Sequence, residues 1–325
     1  MPTLSYREAM GKVLREALDN DPKVFLMGED VGRYGGPYAV TAGFQAIYGE
    51  DRVRDTPISE SGFVGCGIGA AMAGMRPVVE LMISAFSLLA LDQIVNNAAK
   101  LHYMSAGQIT VPVVIRMVNA VGSQAGAPHS VSVESWLASV PGLKVVCPAT
   151  PRDAVGLFRS AIKDKNPVIF VEHALLYKSE GEVPDQHYEI PLGQAEVKRQ
   201  GDDVTIVAYL RMVPVALDAA EQLASQGVQC EVVDLRSLSP LDIDTVVSSA
   251  KKTGRCIIVE ETNRTGAFGA EVAAQVYSRA FDSLDGEIVR VAGADVPTPF
   301  ARHLELASVP SQEDVVTAVQ SILQG

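Results

Sequence analysis

Two hydrophobic periods alternate along this chain. In "LSYREAMGKVLREALDN" the apolar residues recur at helical spacing as far as Leu18, and Ser5 with Glu8 three residues later makes a capping box. Short apolar, β-rich runs follow: "KVFLMG", "PVVELM", "VPVVIRMV", "LKVVCP" and "PVIFVE". Helical patterns lie between them, in "SLLALDQIVNNAAKLHYM" and in "TPRDAVGLFRSAIKD", where Pro151 takes a first-turn position that tolerates proline. Continuous apolar strands alternating with helices predict a parallel sheet covered on both faces. The rhythm stops over residues 177–203, a polar stretch holding Pro184, Pro191 and several glycines, which reads as a linker with room for one strand. It resumes with "VTIVAY", "CEVVDL", "CIIVEE" and "EIVRVAG", and helices are expected over 214–226, 241–251, 267–281 and 313–323. The predicted fold class is α/β in two domains: a parallel-sheet domain over 1–185, a linker over 186–200, and a smaller α/β domain over 201–325.

Composition narrows the possible functions. A chain of 325 residues is too long for one ordinary core, which agrees with two domains. The formal net charge of −12 argues against a nucleic-acid partner. No apolar stretch is long and charge-free enough to span a membrane. Cys66, Cys147, Cys230 and Cys256 form no C-x-x-C pair, so reduced thiols in a cytosol-like compartment are expected rather than disulfides or zinc. The start of the chain lacks a secretory pattern. The expected location is a bacterial cytoplasm, or an organelle matrix or stroma after removal of a transit peptide.

In open α/β sheets ligands bind beyond the carboxyl ends of the strands, which directs attention to the loops there. In "DTPISESG" a single acid, Glu60, stands between Thr56-Pro57 and the glycine-rich run "GCGIGAAMAG". That run partly imitates a dinucleotide fingerprint, but Met72 stands where a third Gly or Ala is required, so close helix packing is the simpler reading. Of the five histidines, His129 in "SQAGAPHSVSVESW" has the most loop-like setting, ahead of a helix expected to begin near Ser132 and to contain Glu134 and Trp136. His173, at the end of "FVEH", is the competing candidate. No H-E-x-x-H pair suggests a metal site and no G-x-S-x-G elbow a hydrolase.

Eight colinear stretches carry a resemblance: "GEDVGRYGGPYAVTAGF", "DTPISESGFVGCGIGAAMAGMRPVVE", "DQIVNNAAKLHYMSAGQ", "PGLKVVCPATPRDA", "AIKDKNPVIF", "EHALLY", "EVVDLRSLSPLD" and "DVPTPFA". From Tyr6 to the last helix the chain resembles the beta subunits of thiamine-diphosphate-dependent 2-oxo acid dehydrogenases, the decarboxylating first components of the pyruvate, branched-chain and acetoin complexes. The resemblance implies a transketolase-like fold, with a pyrimidine-binding domain followed by a transketolase C-terminal domain. It implies an alpha subunit in an α2β2 heterotetramer, with thiamine diphosphate at the interface and Mg²⁺ held mainly by the alpha subunit through a "GDG" motif that this sequence lacks. It also implies a lipoylated dihydrolipoyl acyltransferase as the second component.

Residue by residue, the resemblance makes Glu60 the cofactor-activating acid, hydrogen-bonded to N1′ of the aminopyrimidine so as to favour its imino tautomer. A helix-starting acid is a compatible reading of the same residue. Phe86 matches the aromatic packed on the pyrimidine, and Glu29 and Ile58 are cofactor-side positions. His129 matches a histidine implicated in passing the acyl group to the lipoyl arm. Ala161, Ile162, Asp164 and Asn166 match a potassium-like site supporting that loop, against an ordinary helix-to-strand turn. The chain departs from common family patterns at Arg116–Gly122, at His129-Ser130-Val131 and at Leu89, which bears on substrate more than on cofactor chemistry. Pyruvate is the expected substrate, with acetoin or a branched 2-oxo acid as alternatives. A non-catalytic scaffold docked to the acyltransferase core and a nucleotide-dependent oxidoreductase are the competing classes.

Overall fold

The structure is a computed structural model and describes residues 2–324. Among them, seven strands form the first sheet, in the order Ser237–Ser239, Lys144–Val146, Val168–His173, Val114–Asn119, Arg76–Leu81, Val24–Gly28 and Val53–Asp55. All neighbours are parallel except the first pair. The central strands are buried along their length, as their uninterrupted apolar runs require when helices cover both faces. The second sheet runs Val289–Gly293, Cys256–Asn263, Val204–Ala208, Cys230–Asp234 and Glu196–Arg199, with only the last strand antiparallel.

The predicted capping box is present: Ser5 caps the helix Tyr6–Asn20 and the Glu8 carboxylate accepts from the Ser5 amide at 2.8 Å. Thr150 caps the helix Pro151–Lys163, with Pro151 in its first turn. In the second half, helices over Met212–Ala224, Ile243–Thr253, Phe268–Ala280 and Gln312–Gln324 fall within a few residues of the expected bounds.

Three expectations change. The continuous helix expected after "ISAF" is three pieces: a 3₁₀ segment Ser84–Ala90, a π-helical turn Gln93–Ala98 and a single turn Leu101–Met104. The polar stretch expected to hold one strand at most holds two. Glu180–Glu182 pairs with Thr3–Ser5, and Glu196–Arg199 forms the edge of the second sheet, inside the expected linker. Finally, Ser237–Ser239 leaves the second half of the chain to pair antiparallel with Lys144–Val146. The main core is continuous across both halves, running from Tyr6 and Ile115 to Tyr209, Leu235 and Val272.

Candidate active site

The site is built at the carboxyl ends of adjacent strands. Leaving Val24–Gly28, the chain enters the loop "EDVGRYGG", which Asp55 fastens by accepting from the Gly32 and Arg33 amides at 2.6 and 3.0 Å. The Thr56 amide donates to the Gly28 carbonyl at 3.0 Å, so the loops carrying Glu29 and Glu60 leave the sheet side by side. Glu60 is the first residue of the helix Glu60–Met72 and is buried, while its neighbours Ile58, Ser59 and Ser61 are exposed. The helix N-terminus favours its negative charge.

Glu29 is also buried, and its Oε1 has no hydrogen-bond partner. Burial raises its pKa above the ordinary carboxylate range, and the nearby Glu60 charge adds to the effect. Two buried acids thus share one recess, where the charge of Glu60 opposes ionisation of Glu29. The orphaned oxygen is a ready partner for a polar group entering the recess.

The helix begun by Glu60 packs on the Ser84–Ala90 segment that carries half-buried Phe86. Gly67 shows what the glycine run does. A Cβ there would lie 2.5 Å from Val79 Cγ2, so the glycine lets the helix settle directly on the sheet. The packing reading of that run holds, and no phosphate cradle is formed by this contact.

His129 closes a short 3₁₀ turn, Ala127–His129, and is exposed. Its ring meets Phe86 edge-on, with centroids 5.6 Å apart and planes at 73°. Ser84 Oγ donates to the Val131 carbonyl at 2.7 Å, tying the Phe86 and His129 segments together. The helix expected near Ser132 is the short Glu134–Ala138. Glu134 is fully buried, accepts from Asn119 Nδ2 at 2.9 Å, and is pushed up to about 7 chiefly by desolvation.

His173, the competing histidine, is fully buried. Its Nδ1 accepts from the Leu175 amide at 3.1 Å and its Nε2 lies 3.1 Å from Glu261, which Arg211 also holds at 2.9 Å. It is a satisfied interior histidine at the junction of the two halves, not a solvent-facing base.

The remaining candidates separate. Ile58 is 85% exposed and lies two residues before Glu60. Ala161, Ile162, Asp164 and Asn166 lie at the amino ends of the strands, opposite Glu60 and His129. There Arg76 donates to the Ile162 carbonyl at 2.7 Å, Asp164 pairs with Lys144, and Asp164 Oδ1 accepts the Asn166 amide at 2.9 Å. The Ile162 carbonyl and the Asp164 carboxylate of this helix-to-strand turn thus have donors within the chain. The expectation that this segment supports the His129 loop does not match its place in the fold.

A feature that periodicity could not reveal lies beneath the site. Arg116 is buried between Glu80 and Glu172, donating to Glu172 Oε1 at 2.7 Å, and Tyr177 donates to the other Glu172 oxygen at 3.1 Å. Each of these residues sits in or beside an apolar strand run, and their cross-strand neighbourhood follows only from strand order.

The sequence matches the transketolase pyrimidine binding domain over residues 2–180 and the transketolase C-terminal domain over 193–315. A structural search finds "Split gene transketolase, inactive beta4 tetramer", with TM-score 0.81, 27% identity, and coverage of 99% of this chain and 98% of that one. The fold is therefore of the transketolase class. Within that class, the pyruvate dehydrogenase E1 component subunit beta-1 of Arabidopsis thaliana, named as mitochondrial, is 47% identical over 97% of this chain and 88% of its own length. The pyruvate dehydrogenase E1 component subunit beta of Rickettsia bellii is 46% identical over 98% of each chain. The chain belongs to the family of pyruvate dehydrogenase E1 component beta subunits.

Proposed function

We propose that this chain is the beta subunit of a pyruvate dehydrogenase first component, catalysing oxidative decarboxylation of pyruvate and acyl transfer to lipoyl groups only together with an alpha subunit. The observation that carries the proposal is the recess itself, where buried Glu60 and Glu29 adjoin the Phe86–His129 pair beyond the carboxyl ends of the strands. Those residues fit the aminopyrimidine end of thiamine diphosphate: an acid for a ring nitrogen, an unpaired buried oxygen, and an aromatic wall. When bound, thiamine diphosphate supplies the electron sink that stabilises the carbanion left after CO₂ departs.

This chain's residues do the rest. Glu60 holds a hydrogen bond at the pyrimidine nitrogen, strengthened by its burial. Glu29 offers its unpaired buried oxygen as a second polar contact for the ring, and burial and the nearby Glu60 charge make its ionisation less favourable than usual. Phe86 orients the ring and excludes water. His129, at the solvent side, donates a proton toward the lipoyl sulfur or holds that arm in line.

The diphosphate and Mg²⁺ are assigned to the alpha subunit, since this sequence has no "GDG". No step is assigned to a potassium ion. The working compartment is a bacterial cytoplasm or an organelle matrix. Gly67 packed on Val79 weighs against the nucleotide-dependent oxidoreductase, and an assembled acid recess weighs against an inert scaffold.

The test is reconstitution with an alpha subunit, thiamine diphosphate and Mg²⁺, assayed on pyruvate, branched 2-oxo acids and acetoin. Pyruvate is expected to turn over fastest. Glu60→Gln in that complex is expected to lower decarboxylation by a factor on the order of 10² to 10⁴. Full activity of the variant would remove the assigned role.

A further inference from the structure

The loop that delivers His129 is held by the other half of the chain. Gly122 and Gln124 both have positive φ, +85° and +58°, a conformation strained for glutamine that persists only when something holds it. The holder is Glu305, fully buried in the helix Arg302–Ala307. Its Oε1 accepts from the Gly122 amide at 2.9 Å and from the Gln124 amide at 3.2 Å, and its Oε2 lies 3.1 Å from the Gln124 amide. Backbone N–H groups in such a bent loop form a concavity for an anion, here filled by a carboxylate from the same chain. Beyond His129, Thr298 Oγ1 donates to the Ser130 carbonyl at 3.0 Å. The segment that reaches across is "DVPTPFA", itself fastened to its own domain by Asp295, which accepts from the Thr265 amide at 2.9 Å and the Thr265 hydroxyl at 2.8 Å.

We infer that Glu305, with Thr298, is a positioning element for the acyl-transfer step: it sets the 120–130 loop so that His129 stands against Phe86. The inference rests on the proposed role of His129. It assigns Glu305 no contact with substrate or cofactor. Its consequence is selectivity, because the Glu60 helix is seated on the sheet through Gly67 and Val79, and loosening the loop displaces His129 before Glu60.

The experiment compares wild type, Glu305→Ala, Glu305→Gln and Thr298→Val in the complete α/β complex. Decarboxylation is measured with an artificial electron acceptor, and acyl transfer with a free lipoyl domain. Amide hydrogen exchange is followed over residues 120–130 and 60–72. For Glu305→Ala, acyl transfer is expected to fall at least ~10-fold more than decarboxylation, as misplacement of a reacting group predicts. Exchange over 120–130 is expected to rise while 60–72 stays protected. Glu305→Gln, which keeps one acceptor oxygen, is expected to lie between, and Thr298→Val to give a smaller loss of the same kind. Equal loss of both half-reactions, or unchanged exchange over 120–130, would overturn the inference. If Glu305→Ala does not fold, the two milder variants decide by the same readouts. His129→Ala in the same assays separates the two claims. Wild-type acyl transfer there removes the role of His129, whereas hydrogen exchange still reports whether Glu305 holds the loop.

Discussion

At the scale of single residues, the acids of this chain differ by what surrounds them. Glu261 has two cationic or donor partners, His173 and Arg211, and although burial opposes it, they hold its pKa below the ordinary range. Glu134 has only an amide donor in Asn119, and desolvation pushes it up to about 7. In the unfolded chain it would titrate near the ordinary carboxylate value of about 4.5. Between those two pH values the unfolded state releases the Glu134 proton while the folded state keeps it, so folding loses stability as pH rises through that window. Glu134→Gln removes this dependence. It is expected to match wild type near pH 4.5 and to be more stable above pH 7, by ~1–3 kcal/mol. Thermal melts of both proteins across that range check it, and parallel pH profiles would assign the charge elsewhere.

At the scale of elements, the sheet beneath the site depends on one buried cation. Arg116 serves Glu80 from one neighbouring strand and Glu172 from the other, joining Arg76–Leu81, Val114–Asn119 and Val168–His173 across their middle. Arg116→Met leaves two buried carboxylates facing each other without compensation. It is expected to destabilise the chain by about 3–5 kcal/mol, read as a lowered denaturation midpoint in urea. Gly67→Ala is a packing test in the same layer. A methyl group 2.5 Å from Val79 Cγ2 forces helix and sheet apart, with an expected cost of ~1–3 kcal/mol. The contrast with Gly69 is useful, because nothing lies within 4 Å of a Cβ at that position, so Gly69→Ala is expected to be tolerated.

These elements also show how far the sequence could be read. The Tyr6–Asn20 helix was legible because Ser5, Glu8 and the apolar period all act within a few residues. Buried strands were legible from their continuous apolar runs. Ser237–Ser239 was not, because its three residues pair with Lys144–Val146 across a sequence gap that carries no local signal. The helix after "ISAF" was over-read, since apolar spacing cannot distinguish α from 3₁₀ or π winding where tertiary contacts set the pitch. Glu60 could be singled out as a lone acid in a loop, but its proximity to Glu29 follows from adjacent parallel strands, and no local pattern around Glu305 points to the distant loop it holds.

At the scale of the whole molecule, the site opens onto apolar surface that the chain leaves uncovered. Ile58, Leu89, Tyr103 and Met104 are between 62% and 89% exposed; Ile58 precedes the Glu60 helix, Leu89 is in a segment packed on it, and Tyr103 and Met104 follow the Gln93–Ala98 turn that also packs on it. Large exposed apolar side chains favour a protein partner, and under the proposed function that partner is an alpha subunit approaching from this side. Tyr103, at 89% exposure, contributes little to this chain's own stability, so Tyr103→Asp separates folding from assembly. The variant chain is expected to melt within ~0.5 kcal/mol of wild type, as exposed substitutions do. Its affinity for the alpha subunit is expected to fall ~10- to 100-fold if the ring is an interface anchor. Sedimentation of the mixed subunits measures that loss directly. Decarboxylation should fall in proportion to the assembled fraction and recover when alpha subunit is raised, because Glu60, Phe86 and His129 are untouched. Unchanged affinity would move the partner surface to another face of the molecule.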